Sequence, residues 1–162
     1  MVNIKAVRQQ FAEELNRRME DEGLTAKELA DYCHITESKV NFCLQLGSLP
    51  DPWTLIFMAD CLWCTVNDLL GYGCLNDPGE LSQCQASEFF ENKREYATCF
   101  SSKLRRHMNE KGLSIEDLAS CADVNIHALR QWISVTPSIP QTPDLLRLAD
   151  ALNCTPSDLL GY

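Results

Sequence analysis

The stretch LTAKELADYCHITESKV, residues 24–40, contains the signals that determine the fold. Thr25 and Glu28 have the spacing of a capping box, in which each side chain accepts a hydrogen bond from the other residue's backbone N–H at a helix start. His34 falls in a short turn between this helix and the next, and histidine is a residue type that tolerates a left-handed backbone. Threonine is favoured at the N-cap position, so Thr36 predicts the start of the next helix. The stretch therefore predicts two short helices separated by a tight turn.

A second stretch, LSIEDLASCADVNIHALRQWI at residues 113–133, carries the same signals in the same order. Ser114 and Asp117 have the capping-box spacing. Asp123 stands at the turn, where aspartate also tolerates a left-handed backbone, and Asn125 is a favourable cap for the next helix. This stretch predicts the same pair of helices.

The two stretches belong to a longer internal repeat. The tetrapeptide LLGY closes each copy, at residues 69–72 and 159–162. Aligned backwards from these ends with a single one-residue insertion near Pro137, the copies share 21 of 62 positions. The aligned segments are residues 11–47 with 100–136 at an offset of 89, and residues 48–72 with 138–162 at an offset of 90. We interpret this self-similarity as a duplicated domain.

Each copy predicts five short helices and no strand, so we expect an all-α protein. The first helix of each copy ends at Gly23 or Gly112, since glycine commonly stops a helix. The fourth helix repeats apolar residues at helical spacing, and the fifth begins at Thr65 or Thr155. The predicted boundaries are residues 1–72 for the first copy, 73–86 for a linker rich in turn residues, and 87–162 for the second copy, whose first helix is extended back to Ser87.

Composition excludes several protein classes. The 162 residues include 45% hydrophobic and 23% charged residues, which is typical of a globular chain. No apolar run approaches the roughly 20 residues of a membrane span, and the N-terminus lacks an apolar signal core, so we expect a soluble, cytoplasmic protein. There, the nine scattered cysteines can stay reduced and pack as small hydrophobic residues.

The helix pair at residues 24–40, followed by LPDPWTLIFMADCLWCTVNDLLGY at 49–72, resembles the DNA-binding domain of the Cro and lambda-repressor-like, or Xre-type, helix-turn-helix family. Residues 113–133, followed by IPQTPDLLRLADALNCTPSDLLGY at 139–162, resemble it equally. The resemblance implies two tandem five-helix domains and a transcriptional regulator that binds specific duplex DNA. A covalent pseudo-dimer of this kind could read two half-sites about 34–36 Å apart.

The same resemblance implies where DNA is contacted, because the third helix of each copy enters a major groove. The implied base-reading residues are Thr36, Glu37, Ser38 and Asn41 in the first copy, and Asn125, Ile126, His127 and Arg130 in the second. The implied phosphate-binding residues are Arg17, Arg18 and Lys27 in the first copy, and Arg105, Arg106 and Gln131 in the second.

The first copy departs from the family late in its third helix. Where the family tends to have a basic residue and then Glu, this copy has Phe42 and Leu44. With Val40 and Cys43 turned inward, these side chains are expected on exposed faces, and an exposed apolar patch favours a protein interface. The long helix of the second copy either covers its own domain or offers a subunit or interdomain contact through Phe89, Phe90 and Tyr96.

The formal net charge of −9 is unevenly distributed. Residues 1–72 contain six basic and eleven acidic side chains, whereas residues 100–162 contain six and seven. An acidic surface repels nucleic acid at long range. If only one copy contacts DNA, we therefore expect it to be the second.

Motifs for catalysis, metals or cofactors are weak. Cys61 and Cys64 form a CxxC, but they lie at the end of a predicted helix in an all-α pattern, and Cys64 aligns with Cys154 at a small core position. We interpret them as core residues rather than as a redox pair. No metal-ligand spacing, phosphate-binding glycine loop or catalytic set is present, so we expect no cofactor, no metal and no enzymatic activity.

Two functions remain open from the sequence. The first is the tandem DNA-binding regulator, which blocks or recruits polymerase. The second is an acidic protein-interaction module that uses Phe42 and Leu44 to bind a repressor subunit, another copy of itself or a basic nucleic-acid-binding protein of a phage or defence system. In that case the acidic surface mimics DNA.

Overall fold

The structure, a computed structural model, describes residues 1–45, 48–72 and 93–161. The chain divides into two compact units, Asn3–Ala86 and Ser87–Tyr162, the latter with Met1–Val2. Every regular element among the described residues is an α-helix, and none of these residues forms a strand. The prediction of an all-α protein is confirmed.

Five helices make up the described part of the first unit. They are α1 (Ile4–Glu22), α2 (Ala26–Tyr32), α3 (Glu37–Leu44), α4 (Pro52–Cys61) and α5 (Val66–Leu70). Helix α1 packs on α3 and α5, while α4 packs on α2 and α5. Helix α4 supplies much of the core, because Leu55 and Ala59 are fully buried, as their helical spacing predicts.

The second unit contains five further described helices. They are α6 (Lys93–Lys111), α7 (Ile115–Ala122), α8 (Ile126–Trp132), α9 (Thr142–Ala151) and α10 (Pro156–Leu160). Helix α7 packs on α8 and α9, while α10 packs on α6 and α9. Phe100 and Leu104 of α6 are fully buried, which anchors this long helix to its own unit.

Helix starts follow the predicted capping boxes. The Thr25 hydroxyl accepts from the Glu28 backbone N–H at 3.2 Å, and a Glu28 carboxylate oxygen accepts from the Thr25 N–H at 2.8 Å. Ser114 and Asp117 form the equivalent pair at 3.1 and 3.2 Å. Each box satisfies donors that a helix start otherwise leaves without a partner.

The turn predictions are confirmed by the backbone. His34 has φ 53° and Asp123 has φ 52°, so both adopt the left-handed conformation expected at these turns. Gly23 and Gly112, with φ 65° and 63°, end α1 and α6 in the same conformation. The prediction that Thr36 caps α3 is wrong in one respect. Thr36 occupies the cap position, but its side chain makes no capping hydrogen bond.

Several predictions lie outside the described residues. These are the linker at 73–86, the extension of α6 back to Ser87, and the interface candidates Phe89 and Phe90. Among the helices of the described ranges, none is both long and apolar enough to cross a membrane.

Candidate nucleic-acid interface

The exposed face of α8 is the strongest candidate surface for nucleic acid. Its apolar side is anchored in the unit, since Leu129 is fully buried and Trp132 is 5% exposed. The opposite side places His127, Arg130 and Gln131 in solvent. A helix held in this way offers long polar side chains at the spacing of a groove-reading face.

Arg130 has an ion-pair partner on the preceding helix. Its Nη2 lies 3.0 Å from Oε1 of Glu116, which stands in the first turn of α7. A hydrogen bond from its own backbone N–H, followed by the bond from Arg130, lowers the pKa of the Glu116 carboxyl. The pair joins the two helices of the helix–turn–helix element while the Arg130 side chain stays 54% exposed.

Asn125 serves as the cap of α8. Its Oδ1 accepts from the backbone N–H groups of His127 at 2.8 Å and Ala128 at 3.4 Å. The predicted cap is therefore confirmed. A bidentate contact to adenine needs both the oxygen and the nitrogen of an Asn amide, so base reading by Asn125 would compete with the cap. Ile126, the neighbouring candidate, is half-buried.

The two arginines assigned to phosphate on α6 have intramolecular partners. Arg105 donates from Nη2 to the carbonyl oxygen of Ile133, the C-cap residue of α8. That bond satisfies a carbonyl at the helix end and ties α8 to α6. Arg106 lies 3.5 Å from Glu110, and both side chains are more than half exposed. Such an exposed pair contributes little stability, so a phosphate can compete for Arg106.

Arg147 on α9 is a positioning residue that the sequence reading missed. Its Nη1 lies 3.3 Å from the carbonyl oxygen of Asp123 and 3.4 Å from Oδ1 of Asp144. The side chain thus braces the turn between α7 and α8. Arg147 and Asp123 are 24 residues apart in the sequence, and Arg130 and Glu116 are 14 residues apart. Neither contact can therefore be predicted from the short spacings that bring side chains together on one helix.

The phosphate candidates of the first unit contrast with those of the second. Arg17 donates to both carboxylate oxygens of Glu14, at 2.6 and 3.0 Å, and to Asp21 at 2.9 Å. Arg18 donates to Glu14 at 2.6 Å and is only 21% exposed. The Arg17 guanidinium, with a further contribution from Arg18, lowers the pKa of the Glu14 carboxyl. These carboxylates already neutralise both cations, while Lys27 is exposed.

Helix α3 exposes an apolar side chain near its C-terminal end. Phe42 is 54% exposed, whereas Val40 and Cys43 are buried as predicted. Leu44 is half-buried, so its expected exposure is only partly met. The remaining base-reading candidates of the first unit are Thr36, Glu37 and Ser38, which are exposed, and Asn41, which is half-buried.

Tyr96, the described member of the proposed contact on the long helix, is 3% exposed. Its side chain is therefore not available on the surface for a subunit contact. This placement agrees with the alternative in which the helix covers the side of its domain.

The cysteines of the CxxC motif carry free thiols. Cys64 is buried and Cys61 is half-buried, and burial raises their pKa values to about 12 and about 11. Both are therefore protonated at neutral pH, unlike the thiolates of redox motifs. Within the described part of the chain, no group of three or more His, Cys, Asp or Glu residues could hold a metal ion.

Comparison with known proteins identifies one region. Residues 103–162 match the family model of the Cro/C1-type HTH DNA-binding domain. The match contains the whole α7–turn–α8 element and therefore the exposed face of α8. No curated protein and no solved structure matches the chain.

Proposed function

Because residues 103–162 match a Cro/C1-type HTH DNA-binding domain, we propose that the protein is a transcription regulator that binds specific duplex DNA through α8. The observation that carries the proposal is the exposed face of α8, with His127, Arg130 and Gln131 in solvent. Arginine can bond the two acceptors that guanine presents in the major groove. A protein bound there regulates by blocking or recruiting polymerase.

Backbone conformations support the proposal that the first unit is a diverged copy of this domain. Residues with a left-handed backbone occur at matching positions of the two copies. His34 corresponds to Asp123 at the offset of 89, and Trp63 corresponds to Asn153 at the offset of 90. A left-handed backbone is uncommon for non-glycine residues and rarest for bulky ones such as tryptophan. Its recurrence at corresponding positions favours duplication over coincidence.

The tandem pseudo-dimer is a further proposal about how the two units act. If α3 and α8 both enter a major groove, the recognised sequence has two half-sites about one helical turn apart. If α8 acts alone, the recognised sequence is a single half-site. The neutralised Arg17 and Arg18 and the acidic charge of residues 1–72 favour α8 as the stronger reader.

Selection from a pool of random duplexes by the full-length protein at low salt tests this function. We expect one sequence to be enriched, and its affinity to fall steeply as salt rises because bound phosphates release counterions. The number of half-sites in that sequence distinguishes the pseudo-dimer from binding by α8 alone. Recovery of no sequence contradicts the proposal.

A second candidate function applies to the first unit. The exposed Phe42 and the excess of acidic side chains suit a protein partner with a basic surface and an apolar centre, such as a repressor subunit or a nucleic-acid-binding protein. Phe42→Asp should abolish that complex and leave the helical fold intact. Unchanged co-purification and oligomeric state in the Phe42→Asp variant would exclude this function. Ser38→Asp, at an exposed position on the same helix, adds the same single negative charge and is the charge-matched control.

A further inference from the structure

We infer that Glu116 determines how selectively α8 reads DNA, by orienting the Arg130 guanidinium before DNA arrives. The inference rests on the proposed function. Arg130 Nη2 and Glu116 Oε1 lie 3.0 Å apart, on two helices that are fixed to each other by a buried core. Glu116 is thus a positioning residue that acts through Arg130 rather than on a base.

The pair restricts a flexible side chain without covering it. An arginine side chain has many rotamers, and much of this freedom must be lost when it bonds a base. The bond to Glu116 removes part of that freedom in advance, while 54% of the Arg130 side chain remains exposed. A guanidinium has five N–H donors, so engaging Nη2 leaves donors on the other nitrogens for a guanine.

The charge of Glu116 contributes to selectivity as well. A glutamate carboxyl is ionised at neutral pH, and the lowered pKa of Glu116 extends this to more acidic conditions. The charge lies on the surface where DNA is proposed to lie. An anion there repels phosphates whatever the base sequence. A preoriented Arg130 favours only sequences that present acceptors in its path. Glu116 therefore lowers general affinity and increases the difference between right and wrong sites, which is how repulsive elements produce specificity.

The first unit lacks this pair at the corresponding positions. Under the offset of 89, Glu116 aligns with Lys27 and Arg130 aligns with Asn41. Lys27 is positively charged and cannot attract an arginine, and the position that corresponds to Arg130 holds Asn41 instead. The orienting pair thus belongs only to the unit whose α8 we propose as the DNA reader.

A double-mutant cycle on the full-length protein tests the inference. The probes are the duplex that the wild-type protein enriches from a random pool and a scrambled duplex of the same composition. Dissociation constants are measured for the wild type, Glu116→Gln, Arg130→Ala and the double variant. Glu110→Gln removes a carboxylate from α6 without touching Arg130 and serves as the charge-matched control.

We expect Glu116→Gln to tighten binding to the scrambled duplex and to lower the ratio of the two affinities by roughly threefold or more, within the range of coupled neighbours. In the Arg130→Ala background the same change should leave the ratio unaltered. Glu110→Gln should tighten binding to both duplexes by the same factor. Circular dichroism confirms that each variant keeps its helical content.

Two results overturn the inference while the proposed function stands. One is an equal change in both affinities on Glu116→Gln, which would make Glu116 a repulsive charge only. The other is a loss of selectivity that persists without Arg130. Failure of the wild-type protein to prefer any duplex instead contradicts the proposed function, and the inference with it.

Discussion

Arg130 and Glu116 are 14 residues apart in sequence and 3.0 Å apart in space, and they connect the two helices of the helix–turn–helix element. Arg105 and Arg147 make further contacts around the same element, to the carbonyl oxygens of Ile133 and Asp123. Three of the six basic side chains in residues 100–162 therefore hold α8 and its turn in place. Two of these, Arg105 and Arg147, come from other helices, so side chains outside α8 contribute to its position.

The caps of α3 and α8 allow a matched test of the local structure. Asn125→Ala removes the acceptor for two backbone N–H groups and should destabilise the second unit by about 1 kcal/mol. Thr36→Ala removes a hydroxyl without a capping bond and should have a much smaller effect. Hydrogen exchange at the His127 and Ala128 amides measures the first change directly. Equal destabilisation by both substitutions would contradict these cap assignments.

The paired arginines of α1 should contribute little to DNA binding. Arg17→Ala and Arg18→Ala are expected to change the affinity for the enriched duplex by less than about twofold, because Glu14 and Asp21 already neutralise these cations. Titration of both variants with the duplex measures the effect. The slope of the logarithm of the binding constant against the logarithm of salt concentration is the second readout. If it falls in magnitude by about one unit per arginine removed, phosphates displace the carboxylates in the wild-type complex, which would contradict the prediction.

The stability of the first unit should decrease in acid through Glu14. Its pKa is lowered by Arg17 and Arg18, so the ion pairs contribute fully above the ordinary carboxyl pKa of 4.5 and are lost as pH falls through the lowered value. The contribution is roughly 0.2–1 kcal/mol. Urea unfolding at a series of pH values, compared with Glu14→Gln, isolates it. An unchanged pH dependence in that variant would refute the role of Glu14.

Thiol reactivity should distinguish core cysteines from exposed ones. Cys33 and Cys64 are buried, with pKa values raised to about 12 by burial, whereas Cys99 and Cys121 are exposed. The raised pKa leaves the Cys64 thiol protonated at mildly alkaline pH, and the thiolate is the reactive form. Alkylation at pH 8, followed by peptide mass spectrometry, should label Cys99 and Cys121 before Cys33 and Cys64, which should react only after unfolding. A Cys61–Cys64 disulfide in the folded protein would instead support a redox role.

The predictable features of the fold were those encoded within a few residues. Capping boxes, glycine stops and the left-handed His34 and Asp123 all follow from local backbone preferences, and each was found where the sequence placed it. The ion pairs of Arg17 with Glu14 and Asp21 were also accessible, because three- and four-residue spacing puts these side chains on one helix face. The family resemblance instead favoured a phosphate role for Arg17.

The arrangement around α8 could not be predicted in the same way. The Arg130–Glu116 pair depends on the angle between α7 and α8, which is set by the packing of buried residues such as Leu118 and Leu129. The bond from Arg105 to Ile133 depends likewise on how α6 crosses the end of α8. The spacing of residues in the sequence does not determine how the helices cross, so these contacts can be identified only from the folded structure.

The central claim is that α8 reads duplex DNA, and a matched comparison of two helices tests it most directly. The affinity of the full-length protein for its enriched duplex is measured by fluorescence anisotropy after His127→Ala with Arg130→Ala, and after Ser38→Ala with Asn41→Ala at the aligned positions of α3. We predict that the α8 pair weakens binding by about 1–3 kcal/mol for each lost base contact and that the α3 pair has a much smaller effect. Equal losses from the two pairs, or no loss from the α8 pair, would contradict the claim.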